Sequence, residues 1–164
     1  MAGAAGASDP ASEIPIIYED ARVYLPVAAK TGPLGLFILD TGSEDCLIDD
    51  AAAHRAGVRL VGENVLHGAG RGALSVGESA PVTLFLGNTP LRVESAHVGA
   101  IDARLLPYSG RPIGGLIGSQ LFREHVVTVD FSRRRIELRD LKAFAYAGAG
   151  VRLPFHLVNG APLT

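Results

Sequence analysis

One short stretch of the chain combines an acid with residues that could hold it in place. Directly after three apolar residues at 37–39 comes a polar turn made of Asp40, Thr41, Gly42 and Ser43. Three apolar side chains in succession favour a strand buried on both faces, which would fix the position of the carboxylate that follows. The Thr41 hydroxyl can bond a partner loop, Gly42 permits close backbone approach, and the Ser43 hydroxyl can donate to the carboxylate. The pattern predicts a held acid suited to general acid–base chemistry.

Short strands are predicted before this acid. Apolar runs at 14–17 and 23–28 indicate two strands with a polar turn between them at 18–20. Turn residues at 31–34 lead into the apolar strand at 35–39. The acid therefore stands at the end of a buried strand.

A short helix is predicted after the acid. Residues 46–48 form an extended apolar run, and Asp49 or Asp50 can cap a helix over 51–56 that Gly57 ends. The single cysteine begins that apolar run, so we interpret it as a small buried residue, and no internal disulfide is available to it.

A glycine-rich segment lies further along, between apolar flanks that predict a hairpin. It consists of His67, Gly68, Ala69, Gly70, Arg71 and Gly72. Two interpretations stay open: a mobile hairpin and an ordinary long hairpin turn. A phosphate-binding loop is disfavoured because no Lys-Ser or Lys-Thr pair follows.

The second half of the chain also indicates strands. Residues 81–86 and 91–98 predict a strand pair, in which His97 is a packed or solvated strand residue rather than a metal ligand. Residues 103–112 are predicted to be a surface loop, with the lining of a cleft as the alternative.

A second glycine motif and a closing hairpin follow. The motif consists of Gly115, Leu116, Ile117 and Gly118. After it, Ser119 is expected to cap a turn of helix over 120–125, and strands at 126–130 and 136–138 pair around a tight turn.

Composition narrows the function classes. The 164 residues carry a net charge of −2, which leaves no basic footprint for nucleic acid. Twenty glycines and ten prolines among many aliphatic residues favour short strands and turns, so we predict a mostly β chain. No apolar window approaches the length of a membrane span, and the scattered histidines give no metal site, so we expect neither metal nor cofactor.

These motifs resemble those of the retropepsin-like aspartic proteases. Residues 37–43 match the family's apolar-apolar-Asp-Thr-Gly-Ser loop, 114–118 resemble its glycine motif before the last helix, and 126–138 are similar to the closing hairpin of bacterial members. One departure is the Ser119-Gln120 pair, where viral enzymes carry Arg and then Asp or Asn. The resemblance implies a closed or partly open acid-protease-like β barrel with a glycine-rich flap hairpin and one or two short helices.

The family's chemistry implies an aspartic endopeptidase whose site needs two carboxylates that share one proton. The chain has one Asp-Thr-Gly, at Asp40, so the second acid must come from another domain of the same fold. The implied partners are a polypeptide substrate and either a second copy of the chain, as a homodimer, or a second domain. The alternative function is a non-catalytic peptide-binding or dimerisation module.

Three segments are predicted along the chain. Residues 1–13 are expected to form a disordered lead-in, 14–140 the protease-like domain, and 141–164 a linker. The end of that linker loosely repeats the features before Asp40, so two interpretations stay open: the start of a second repeat, or a packed or disordered tail. The lead-in is not an intact secretory signal, which leaves periplasmic, exported and cytoplasmic locations open.

Overall fold

The structure is a computed structural model that describes residues 12–67, 73–158 and 161–163. Strands dominate it, together with three short helices, which confirms the mostly β prediction. The helices are α1 Asp50–Ala56, α2 Ile101–Ser109 and α3 Gln120–Glu124. The strands are β1 Ser12–Pro15, β2 Ile17–Glu19, β3 Arg22–Ala29, β4 Gly32–Leu39, β5 Leu47–Asp49, β6 Leu60–His67, β7 Ala73–Ser79, β8 Val82–Leu86, β9 Thr89–Val93, β10 His97–Gly99, β11 Gly115–Ile117, β12 His125–Asp130, β13 Arg135–Asp140, β14 His156–Val158 and β15 Ala161–Leu163.

One large sheet carries the candidate site. Its strand order is β6-β7-β10-β5-β11-β4-β3-β8-β9, with β2 added beside β3. The order ends at β6 on one side and β9 on the other, so the sheet is not closed into a barrel and the barrel prediction is wrong. A second sheet of order β1-β13-β12 packs Ile14, Ile136 and Leu138 into the same apolar core, and among the described residues β14 pairs only with β15.

The core lies around the strand that leads to the acid. Phe37 of β4 is fully buried, as are Leu25 of β3, Ile48 of β5 and Ile117 of β11. These side chains belong to one apolar cluster, which also contains Leu121 of α3. Burial on this scale stabilises each large side chain by about 1.5–3 kcal/mol, so the sheet around β4 is held firmly.

Local sequence signals predicted the first helix correctly. The Asp49 carboxylate accepts a hydrogen bond from the Ala51 amide at 3.0 Å. Gly57 ends α1 in the left-handed conformation, with φ of 65°, and its amide donates to the carbonyl oxygens of Ala53 and His54. Both ends therefore follow the capping rules on which the prediction depended.

The second helix was missed. Residues 103–112 were predicted to be a loop because Pro107 and Gly110 are turn residues, yet α2 runs through Pro107 and ends at Gly110. Two carboxylate contacts distant in sequence hold it: the Asp102 amide donates to Asp49 at 3.0 Å, and the Ile113 amide donates to Asp102 at 2.8 Å. Tertiary contacts of this kind override the local preference.

No helix among the described residues is long and apolar enough to cross a bilayer.

Asp49 connects the two helices to the sheet, and its replacement tests that connection. We expect Asp49→Ala to lower the free energy of unfolding by about 2–4 kcal/mol, because both α1 and α2 lose an acceptor for a backbone amide. Asp49 is buried, whereas its neighbour Asp50 is exposed. Asp50→Ala is thus the matched control and should cost only about 0.5 kcal/mol. Urea unfolding measures both, and equal losses would contradict the double role of Asp49.

Candidate active site

The candidate acid Asp40 directly follows the buried strand β4. β4 lies between β3, which is antiparallel to it, and β11, which is parallel to it. The Asp40 amide extends the second ladder by donating to the Ile117 carbonyl oxygen at 2.9 Å. The backbone of the acid is therefore fixed by the sheet itself.

The carboxylate of Asp40 is oriented from within its own turn. The Gly42 amide donates to Asp40 Oδ1 at 2.9 Å, and the Ser43 amide donates to the Asp40 carbonyl oxygen at 3.3 Å. The Ser43 hydroxyl donates to the Asp45 carbonyl oxygen at 2.8 Å instead of to the carboxylate. The hydrogen bond that the sequence assigned to Ser43 is thus made by Gly42. Thr41, between them, is exposed to solvent.

The loop from Asp40 to Cys46 passes over the end of β11. It must do so because β11 pairs with β4 on one side and with β5 on the other. Gly118, which follows β11, lies against this loop: a Cβ atom there would meet the carbonyl oxygens of Asp45 at 2.5 Å and Ser43 at 2.8 Å. The loop is therefore wrapped around a position that only glycine can occupy without displacement.

The start of α3 anchors the same loop from the other side. The Ser119 amide donates to the Ser43 carbonyl oxygen at 2.8 Å, and the Ser119 hydroxyl donates to the Glu44 carbonyl oxygen at 3.2 Å. The Cys46 thiol lies 3.2 Å from Gln120 Oε1, to which it donates. Ser119 stands at the N-cap position of α3, as predicted, but its hydroxyl accepts from the Arg123 side chain at 3.4 Å and caps no backbone amide of the helix. The Ser119-Gln120 pair instead binds the loop, which explains how this departure from the viral pattern is accommodated.

Cys46 is a structural residue. Its side chain is fully buried, and burial raises the pKa of the thiol to about 11. Because the thiolate is the nucleophilic form, the group is unreactive at neutral pH. This agrees with its interpretation as a small buried residue.

His97 is packed in a strand, as predicted. It is buried in β10, its amide donates to the Cys46 carbonyl oxygen at 3.0 Å, and its Nε2 lies 3.3 Å from a carboxylate oxygen of Asp45. These contacts hold the far end of the loop that contains Asp40.

The predicted flap corresponds to the hairpin of β6 and β7. The two strands pair antiparallel up to His67, which lies opposite Ala73. Residues Gly68, Ala69, Gly70, Arg71 and Gly72 lie outside the described residues, so the flap interpretation stays a prediction.

A second apolar cluster lies on β4 and the elements around it. Its buried residues are Tyr24, Ile38, Ile101 and Ile113. Half-buried leucines pack against them: Leu36, Leu47, Leu74, Leu105 and Leu116. They come from β4, β5, β7, α2 and β11, so the predicted glycine motif and the hairpin strand β7 meet at this surface. A groove of about 510 Å³ lies beside the hairpin, between Leu60, Glu63, Val76 and Ala100; Leu74 of this cluster is among its lining residues and Asp40 is not.

Comparison with known families agrees with this geometry. The family described as aspartyl protease matches residues 30–121, which is more than half of the chain. The chain belongs to the aspartyl protease family. The matched region contains the Asp40 turn, the hairpin of β6 and β7, α2 and the glycine motif at 115–118, all of which belong to this family's domain.

A solved structure shares the fold of this family member. The crystal structure of a retropepsin-like aspartic protease from Rickettsia conorii is similar, with a TM-score of 0.51 and 15% sequence identity, and the match covers 79% of this chain and 99% of that chain. The fold is thus retropepsin-like, as the motifs implied. No curated protein matches the chain.

Gly118 provides a test of the wrapped loop. We expect Gly118→Ala to lower the free energy of unfolding by about 1–3 kcal/mol, because the new methyl group forces the loop away from β11. The Ser119 amide, which donates to the loop, should exchange faster with solvent.

Gly62→Ala is the matched control, since a Cβ there would meet first the carboxylate end of the flexible Glu78 side chain, at 3.2 Å. It should change stability by less than about 0.5 kcal/mol. Urea unfolding and amide exchange measure both variants, and a Gly118→Ala protein as stable as the control would show that the loop has room.

Proposed function

We propose that this chain is an aspartic endopeptidase in which Asp40 is one of two catalytic carboxylates. Its family and its fold both indicate a peptidase. The observation that carries the proposal is the position of Asp40: its backbone is fixed by β11, and one carboxylate oxygen is held by the Gly42 amide. Half-buried and placed after a rigid strand, this acid meets the geometric demands of general acid–base catalysis.

The reaction needs a second carboxylate within about 3 Å, because two acids that close share a single proton. The ionised acid removes a proton from water, and the water oxygen attacks the carbonyl carbon of the scissile peptide bond. The protonated acid donates to the carbonyl oxygen as negative charge develops there. Proton transfer to the departing nitrogen then completes hydrolysis.

The second carboxylate comes from another domain of the same fold. The sequence contains one Asp-Thr-Gly motif. Thr41 is exposed next to the acid, where its hydroxyl is available to a facing loop. Either a second copy of the chain in a homodimer or a second domain of the same chain satisfies this requirement, and two-fold pairing brings equivalent residues together.

The substrate is a polypeptide with apolar side chains near the cleaved bond. This is supported by the half-buried leucines of the sheet whose strand β4 leads to Asp40, because they offer apolar surface from β5, β7 and β11. The β6–β7 hairpin would cover the extended peptide as a flap, through His67, Gly68, Ala69, Gly70, Arg71 and Gly72. A closing flap also excludes water other than the attacking molecule.

Replacement of the acid tests the proposal. Asp40→Asn keeps an oxygen for the Gly42 amide but removes the ionisable group, so we expect peptide hydrolysis to fall by about 10²–10⁴-fold without loss of fold. Turnover of a peptide library and circular dichroism are measured together, with and without pepstatin.

The control for this experiment is Asp20→Asn. Asp20 is exposed in a turn with φ of 49°, a conformation that asparagine tolerates, and it should leave turnover unchanged. A folded Asp40→Asn protein that cleaves at the wild-type rate would remove Asp40 from the mechanism. A wild-type protein that binds pepstatin but cleaves nothing would assign the non-catalytic binding function instead.

Amide hydrogen exchange tests the flap. We expect residues 67–76 to exchange fast in the free protein and slowly when a peptide-like inhibitor is bound, because closure over the ligand protects them. The β8–β9 hairpin at the other side of the sheet is an internal control whose exchange should not change. Equal protection of 67–76 with and without the inhibitor would identify an ordinary hairpin.

A further inference from the structure

The hairpin near the end of the chain has the same pairing as the hairpin near its start. In β2 and β3, Ile17 lies opposite Tyr24, Tyr18 opposite Val23, and Glu19 opposite Arg22. The pairs in β14 and β15 are His156 with Leu163, Leu157 with Pro162, and Val158 with Ala161. Each residue of the second hairpin lies the same number of positions after its counterpart in the first. The two hairpins therefore correspond residue by residue without a gap.

The residues before the two hairpins correspond at the same interval. Ile14, Pro15 and Ile16 precede the first hairpin, and their counterparts before the second are Leu153, Pro154 and Phe155. Proline recurs at the middle position, between apolar residues on both sides. A short motif of this kind is weak alone, but here it coincides with an identical strand register.

The sequence at the second turn is consistent with the correspondence as well. The first hairpin turns through Asp20 and Ala21, which both have positive φ, 49° and 57°. Two successive residues of positive φ define the type I′ turn, for which Asn-Gly is the preferred sequence. The counterparts of this pair in the sequence are Asn159 and Gly160, which lie outside the described residues.

Burial differs sharply between the two copies. Ile14 and Ile16 are 0% and 5% exposed, because β1 pairs with β13 and packs in the main core. Their counterparts Leu153 and Phe155 are 71% and 61% exposed. Within the part of the chain that the structure describes, β14 and β15 pair only with each other, and an isolated two-stranded hairpin is marginally stable in water. The second hairpin therefore carries the apolar residues of the first without the core that buries them.

We propose that residues 153–163 are the first hairpin of a second domain of the same fold, which follows in the same polypeptide and supplies the second carboxylate. The role of that carboxylate depends on the proposed function, whereas the second domain depends only on the repeat. Leu25 is the counterpart of Thr164, and Asp40 follows Leu25 along β4. The second acid is therefore expected about 15 residues beyond Thr164, after a run of apolar residues.

The reading frame beyond codon 164 is the first test. We expect an apolar run followed by Asp-Thr-Gly or Asp-Ser-Gly at about the stated distance, and later a glycine motif like 114–118. A stop codon before that distance, or a following sequence without such an acid, would overturn the proposal.

The full chain allows a second test, at the level of stability. Leu153→Ser should lower the thermal midpoint of the full chain, because its counterpart Ile14 is fully buried in a domain of this fold. Val151→Ser is the matched control. The counterpart of Val151 is Ser12, so serine already occupies that position in the first domain and the midpoint should not move. Equal midpoints for the two variants would show that the hairpin has no core in the full chain either.

The third test separates this proposal from the proposed function. The full chain should sediment as a monomer, and its activity per molecule should stay constant on dilution, because both acids are in one chain. A dimer whose activity is lost on dilution would overturn the second domain and keep the protease. A monomer with both acidic motifs that cleaves nothing would keep the second domain and overturn the protease.

Discussion

The absence of space at Gly118 is the constraint on which the site depends. A strand, β11, occupies the place between β4 and β5, so the chain that carries Asp40 has to pass over the end of that strand to reach β5. It passes so closely that a Cβ atom on residue 118 would lie 2.5 Å from the Asp45 carbonyl oxygen and 2.8 Å from that of Ser43. The acid is thus held by the backbone of another strand. Tight packing of backbone on backbone of this kind leaves little freedom for the carboxylate to move.

Two further glycines continue the same constraint along β11. At Gly114 a Cβ atom would meet a carbon of the Phe37 ring at 2.6 Å, and at Gly115 it would meet that ring at 2.6 Å as well as the Leu47 carbonyl oxygen. Phe37, the fully buried residue of the strand before Asp40, therefore needs glycine at positions 114 and 115, where a side chain would overlap its ring. The aromatic ring before the acid and the glycines in the distant motif are two halves of one packing arrangement. The position of Phe37 before Asp40 is thus a physical reason for the glycines of the motif at 114–118.

The sequence was informative where the structure is determined by neighbouring residues. The strand before Asp40, the helix between Asp49 and Gly57 and the closing hairpin of β12 and β13 all follow from local patterns of burial, capping and turns. The family motifs then indicated the retropepsin-like fold that the comparison shows.

The features that were missed depend on contacts between distant residues. α2 tolerates Pro107 because Asp49 and Asp102 hold its ends, and no local signal marks those contacts. The Ser119 hydroxyl has the Glu44 carbonyl oxygen of the loop after Asp40 within reach, so it caps no backbone amide of its own helix. Likewise, whether a sheet is open or closed depends on whether its two edge strands pair with each other. The residue pattern within a strand does not specify its partner.

A second domain in the same chain would allow the two halves of the site to differ in sequence. In a homodimer every substitution near Asp40 appears twice, so both sides of the cleft recognise a peptide with the same residues. Two linked domains can diverge, and the repeat already shows divergence: the hairpin residues Ile16 and Ile17 correspond to Phe155 and His156. Linkage also replaces association from solution by a high effective concentration, so the two acids stay together at any dilution. An extended peptide is itself directional, and a cleft with two different halves can match that direction where a symmetric one cannot.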